Sequence, residues 1–541
     1  MKNNNWKNIN WPEVNQIVYD LQCKIFKANV NGSINIARMR YYQKTLVNSE
    51  AAKLVAIRKV TQDNREKKMR GVDGKLTLSD LEKIELVRIL RFDGSADSIR
   101  WVPKGSLNGL FGISTIKDRA KQTLLKLALE PEWEARFDSN SYGFRPGYSI
   151  ADAKWMVTRQ IQGSPKYFLR TGIKNCFKDI SHEYLLKKLN TTRTFKNQIK
   201  SWLKAGILNS DFLTSTEYAE NNIEHNEILS FLLVNIVLDG MEKLLKDKFN
   251  KNVCLIRYGH DFVVLSKKKE VVVESQNLLA EFLKPIKLEF SEKKTRSGHT
   301  LCGLSPGFDF LGFNFRNHCV SVHRGSKNTR GIKQNFLQIS KPSRESVKEH
   351  KKQITVLLKK YKSAPLLSVI EALSKKIKVW TYYYSLSQST KTFTMLDGWL
   401  WNKLWRWSVK RFKGAKNAKK QCFSISGWKF GFIDNFTNKK WVLDRYDKVK
   451  VRKHVKIKEK ASIYSGQLDY FSKRLVLHHP PLKRLRGLFM KQGYKCAYCK
   501  TYFFPSDIIE LHHVLDSNRV WLNKIQFVHG YCHDQIHSKS K

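Results

Sequence analysis

The sequence predicts an α+β protein of several domains that ends in a small metal-held module. Three observations lead there. A chain of 541 residues is too long for one apolar core and divides into three to five domains or subdomains. Its centre alternates helical apolar periods with short apolar strands, whereas the flanking stretches are helical. Its end carries Cys496-Ala-Tyr-Cys499, then His512-His513, then His529-Gly-Tyr-Cys532-His533, and ligand pairs at such spacing seldom arise by chance. Lys and Arg number 99 against 47 Asp and Glu, a net charge of +52 that repels itself unless a polyanion neutralises it. Nucleic acid is the usual partner of such a chain. Hydrophobic residues at 41% and aromatics at 12% supply enough apolar surface for packed, enzyme-like cores.

Residues 1–85 read as a basic helical extension. Ala51 to Val60 sets apolar and cationic residues at helical spacing, and Gly71-Val-Asp-Gly74 ends the region in a turn. Residues 86–325 are mixed: helices are expected at Ala120–Trp133 and Ile228–Lys248, and strands at Cys254–Ile256, Phe262–Leu265 and Phe308–Phe315. Residues 326–412 turn helical again. There Trp380, Tyr382, Tyr383, Tyr384, Trp399, Trp401, Trp405 and Trp407 are expected chiefly in core. In residues 413–474, Lys448 to Lys458 alternates cations with valine and isoleucine, so a strand is expected with one charged face, solvated or tracking phosphate. Residues 475–541 form the terminal module.

No apolar run has the length of a membrane span. The start, Met1-Lys-Asn-Asn-Asn-Trp6, lacks a signal peptide's apolar centre, so synthesis and action in one reducing compartment are expected. Cys23, Cys176, Cys254, Cys302, Cys319 and Cys422 have no framework spacing and are expected as buried thiols. Cys496, Cys499, His529 and Cys532 offer four tetrahedral donors for a structural zinc ion.

Four central segments carry a family resemblance: Asn140-Ser-Tyr-Gly-Phe-Arg-Pro-Gly147, Ile173 to His182, Ile256 to Val264, and Gly307 to Asn314. In this order they resemble the proteins encoded within group II introns. Those join a reverse transcriptase to a maturase domain, a DNA-binding segment and an endonuclease of the His-Asn-His (HNH) type. Lys341-Pro-Ser343 and Trp380-Thr-Tyr-Tyr383 look like the maturase thumb. The resemblance implies right-hand fingers and palm over 86–325, a helical maturase thumb over 326–412, a basic DNA-binding segment over 413–474 and a ββα-metal HNH zinc module over 475–541.

Polymerases need carboxylates that hold two Mg²⁺ ions. Where the family has its first Asp this chain has Gly172, and Lys178 stands at a second acidic position. The Tyr-Ala-Asp-Asp turn reads Tyr258-Gly259-His260-Asp261, leaving Asp261 as a residual polymerase position. The Pro-Gln-Gly-Gly stretch reads Glu224-His-Asn-Glu227. The expectation is a frame kept without its polymerisation, whose task is to grip the host intron RNA while that RNA folds and splices.

In the C-terminal module the resemblance implies His513 as general base, Asn523 orienting its loop, and His512, His533 and His537 holding a divalent ion such as Mg²⁺. Glu510 would support the site. A zinc-stapled DNA-binding knuckle without cleavage is the other reading. The expected function is therefore a group II intron maturase with an HNH DNA endonuclease module. The alternative is an active RNA-directed DNA polymerase and endonuclease serving intron mobility. Host intron RNA and a DNA target are the implied partners, with a homodimer as in relatives and no membrane. Heavy use of Lys and Asn fits an organelle that encodes the chain, plastid or mitochondrion, or else a bacterial cytoplasm.

Overall fold

The computed structural model describes residues 5–30, 35–63, 70–103, 110–206, 229–325, 331–423, 425, 429–434, 438–458, 461–478, 485–515 and 521–539. The side chains of 103, 110, 111, 322, 476–478, 515, 521–524 and 539 fall outside that description. Among the described residues no helix is long and apolar enough to cross a membrane.

The N-terminal region is helical: Trp11–Val30, Ile36–Asn48 and Glu50–Thr61, then Asp80–Ile89. Ser79 and Glu82 close that last helix in a reciprocal capping box, which satisfies otherwise orphaned N–H groups. A hairpin of Arg100–Pro103 with Leu110–Ile113 follows, then the long helix Ile116–Glu134, capped by Thr115.

The centre is a four-stranded antiparallel sheet in the order Val253–Tyr258, Asp261–Ser266, Tyr167–Gly172, Arg296–His299. Phe262 to Leu265 are all buried, because helices cover one face and a second sheet the other. That second sheet pairs Phe308–Phe310, Phe313–Cys319 and Phe336–Pro342. The predicted helix over Ile228–Lys248 is two helices, Ser230–Val237 and Met241–Phe249, broken where Gly240 takes φ 95°.

Residues 326–412 are not wholly helical. Phe336–Pro342 is a strand, and its alternating burial lays one face on the apolar core. Ser343 then caps the helix Arg344–Lys360, followed by Leu366–Tyr384 and Thr390–Arg411. Trp380, Tyr383 and Tyr384 are buried in this core, while Trp401 and Trp405 stack half-buried on its rim.

The segment 448–458 is not a strand; it runs irregularly, and its alternation is reversed between Val451 and Val455 while Ile457 stays buried. Val451 and Val455 face solvent. Arg452 donates to the Tyr382 carbonyl and the Ser385 hydroxyl, lies over the Tyr382 ring, and His454 reaches Asp152. Buried acceptors outbid solvent for the cations, so propensity did not decide the facing. Lys448, Lys450 and Lys453 stay exposed. Cys302 and Cys319 are also exposed rather than buried, one in an irregular loop and one at a strand end.

The chain's two ends share one core. Phe489, Phe503, Phe527 and Tyr531 pack with the N-terminal helices. The Arg58 guanidinium lies 4.5 Å from the Trp11 ring centre and 4.3 Å from that of Tyr531.

Candidate functional site

The palm frame is intact. The loop Asn140–Gly147 presses on the hairpin turn at Gly259: the Tyr142 N–H donates to the Arg257 carbonyl, and Arg257 N–H to that of Asn140. A Cβ on Gly143 would sit 2.2 Å from the Gly259 nitrogen, so only glycine allows this approach. Arg257 is buried and donates to Asn235, which donates in turn to the Gly143 carbonyl. Arg145 forms a buried two-pronged pair with Glu134.

The acidic positions that the resemblance implies are not all filled. Gly172 pairs across the sheet with Asp261, the two positions from which facing carboxylates would point. The Asp261 carboxylate instead takes the ammonium of Lys294 at 3.0 Å. Lys294 also lies 3.4 Å from the His260 Nε2. A Cβ on Gly172 would meet Asp261 at 2.4 Å and Lys294 Cδ at 2.9 Å, so the missing side chain's space is filled. Burial works against the Asp261 charge, yet His260, Lys294 and Arg170 hold its carboxyl below the usual range. Burial, then the charges of Lys294 and Arg170, push the His260 imidazole down against the opposing pull of the Asp261 carboxylate. One carboxylate already bound to an ammonium does not fit a two-Mg²⁺ site. Lys178 is exposed nearby, and Glu224 to Glu227 lie outside the described residues.

The C-terminal module is the hairpin Ile509–Leu515 with Trp521–His529, followed by the helix Gly530–Lys539. Donor atoms of Cys496, Cys499, His529 and Cys532 all lie within 4.8 Å of one another. Cys499 Sγ is 3.4 Å and Cys532 Sγ 3.9 Å from His529 Nδ1. His529 Nε2 faces Asp507 at 3.2 Å, which fixes the tautomer that turns Nδ1 toward the sulfurs. Hydrogen bonds from Cys496 and Cys532 hold the Cys499 thiol well below its usual range. Three thiols and a fixed imidazole fit tetrahedral zinc.

A second cluster joins His512, on the hairpin, to His533 and His537, one helical turn apart, again within 4.8 Å. His537 Nε2 is 3.1 Å from His533 Nε2, and His533 Nδ1 is 2.8 Å from Glu510. Glu510 and His512 share a strand face, as residues two apart must. Burial, then the neighbouring imidazoles, keep His512 below its usual range, and its Nδ1 is buried with no hydrogen-bond partner. Three imidazoles, one with an orphaned nitrogen, and a supporting carboxylate fit one divalent ion. His513 is outside this cluster; it is exposed, next along the strand and just before a register shift. Asn523 lies in the returning strand, its side chain outside the described residues. Sequence reasoning missed Lys294 and Asp507, which act on the sites from loops and carry no spacing signal.

This is an α+β reverse-transcriptase-like fold with an appended His/Cys module. Three family models match the chain: the N-terminal domain of reverse transcriptase over residues 6–90, reverse transcriptase (RNA-dependent DNA polymerase) over 103–315, and the maturase-specific domain of group II introns over 347–423. Their order along the chain, reverse transcriptase and then maturase-specific domain, is that of group II intron-encoded reverse transcriptase/maturases, to which the chain is similar. It is 31% identical to "Maturase-like protein 1" of Euglena gracilis over 326 residues, which is 58% of this chain and 65% of that one. It is 29% identical over 191 residues to "Group II intron-encoded protein LtrA" of Lactococcus lactis, covering 34% and 31%. The matches thus span about two thirds, 65%, of the Euglena proteins' own length. A telomerase from Candida albicans in complex with a telomeric RNA fragment aligns at TM-score 0.28 and 14% identity, covering 59% of this chain and 60% of that one.

Proposed function

We propose that the protein is a group II intron maturase that binds its host intron RNA and assists splicing, with polymerisation lost and a C-terminal module that nicks DNA. The observation that carries the reading is the palm: its frame of Tyr142, Asn235 and Arg257 is kept while Asp261 alone faces Gly172 and pairs with Lys294. A surface with net charge +52 neutralises RNA phosphates, so the RNA performs the chemistry and the protein supplies charge and shape.

In the module, Cys496, Cys499, His529 and Cys532 would hold a structural zinc ion that fixes the hairpin against the helix. His512, His533 and His537 would hold the nuclease ion, which supplies charge neutralisation at the scissile phosphate. His513 takes a proton from the attacking water at an imidazole nitrogen, and Glu510 orients His533. Relatives come from Euglena, fungi and bacteria, and an organelle-encoded or bacterial origin accords with all of them.

The test pairs a splicing assay on the host intron with primer extension in Mg²⁺. The expected result is faster splicing, RNA binding that weakens as salt rises, and no cDNA. Robust cDNA synthesis would overturn the palm reading; equal affinity for the intron and random RNA would overturn the maturase reading.

A further inference from the structure

We propose that the cavity between the N-terminal helices, the palm loop Phe144–Ser149 and the zinc module is a binding site for a nucleoside phosphate, free or splayed out from an RNA strand. The cavity measures about 720 Å³, within the range of small-ligand sites. Its walls come from distant parts of the chain: Tyr19, Arg58, Arg119, Phe144, Phe504 and Tyr531. Gly172, His260 and Asp261 are not among its lining residues, nor are His512, His533 and His537, so it is separate from both sites above.

Two buried guanidinium groups in these walls are incompletely satisfied. Arg58, 2% exposed, gives Nε to Asp63 and Nη2 to Asn15, and its Nη1 has no hydrogen-bond partner. Arg119, 5% exposed, gives Nε to the Thr115 carbonyl, and its Nη2 has none. Buried charged donors are rarely left so, and each calls for an acceptor. The acids in the lining are already engaged. Asp63 holds Arg58, Glu130 takes the Tyr464 hydroxyl and Lys126, and Asp507 faces His529. Lys59 and Lys126 line the same space, and burial and then the Lys126 charge destabilise the Lys59 ammonium. An anion entering here would meet the positive charge of Arg58, Lys59, Arg119 and Lys126 without displacing an internal carboxylate. A lone phosphate leaves most of this volume empty. Rings line the remainder, with Tyr19 edge-on to Phe504 at 5.2 Å and Phe144 stacked on Phe231 at 3.8 Å, and such rings suit a base.

The test titrates the full-length, zinc-loaded protein with AMP by calorimetry, and crosslinks a 4-thiouridine-bearing oligoribonucleotide with peptide mapping. Lys59→Met and Arg119→Gln are compared, with melting temperatures as folding controls; if Arg119→Gln melts, Lys59→Met still decides. AMP binding that weakens about tenfold or more in the variants assigns a free nucleotide. Absence of AMP binding, with crosslinks on the cavity walls that the variants remove, assigns a nucleotide of RNA. Both support the proposal. No AMP binding and no wall crosslinks overturn it, as does inorganic phosphate binding as tightly as AMP.

Discussion

Asp152 ties the C-terminal third of the chain to the palm, and its removal has a calculable cost. It lies in the helix Ile150–Gln162 and is fully buried. One carboxylate oxygen accepts from His454 at 2.9 Å, Arg474 at 2.5 Å and the Ile457 N–H at 2.9 Å; the other accepts from Ser149. Burial disfavours the charge, but the His454 bond and the charges of Arg474 and His454 hold the carboxyl at about 2 against an ordinary 3.8. The folded value lies below the unfolded one. The stabilisation is therefore complete above about pH 4 and is lost as pH falls toward 2. That gap corresponds to about 2 kcal/mol. Asp152→Asn keeps the shape and loses the charge, so about 2 kcal/mol should go. Asp152→Ala strands the largely buried Arg474 and His454 side chains and should cost about 3–5 kcal/mol. Urea denaturation, run with limited proteolysis of segment 452–478, measures both. The wild-type advantage over Asp152→Asn should shrink between pH 5 and pH 2. Losses under about 1 kcal/mol for both variants, with no new cleavage in that segment, would refute the reasoning.

Gly172→Asp forces a side chain into space held by Asp261 and Lys294; it should lower stability by about 2 kcal/mol, read as a fall in melting temperature, and yield no cDNA. Wild-type protein should carry about one tightly held zinc ion per chain by elemental analysis, a stoichiometry that Cys499→Ser abolishes while exposing Phe503 and Phe527 to protease-accessible unfolding. In a plasmid-nicking assay His513→Ala should reduce the rate about 10²-fold or more while Mn²⁺ binding persists, whereas His512→Ala should lose Mn²⁺ binding along with nicking.

The sequence shows best those features that depend on short spacing. The hairpin strands around Gly259, the Cys496/Cys499 and His529/Cys532 pairs, and the His533/His537 helical turn are all local patterns, and the structure brings each together. What it hid depends on partners far along the chain. The valine alternation of 448–458 predicts a strand with exposed cations, but Asp152 and Tyr382, about 300 and 70 residues away, draw His454 and Arg452 inward. Nor does any spacing announce that Lys294 meets Asp261 or that Tyr531 closes over Arg58. The strand Phe336–Pro342 was submerged in a stretch whose longer helical periods dominate.

The knitting of both termini into one core sets a timetable for biogenesis. Asp152 leaves the ribosome 322 residues before Arg474. At roughly 5–20 residues per second that delay is roughly 16–64 s. Throughout it the helices that await Phe489, Phe527 and Tyr531 keep an apolar flank open to solvent. The shared core is consequently completed only once residue 531 has emerged, and a nascent chain interrupted ahead of residue 452 is left with an acidic socket and a bare greasy wall. Chaperones, or early engagement of a polyanion by the basic N-terminal half, are what such an intermediate needs to escape aggregation.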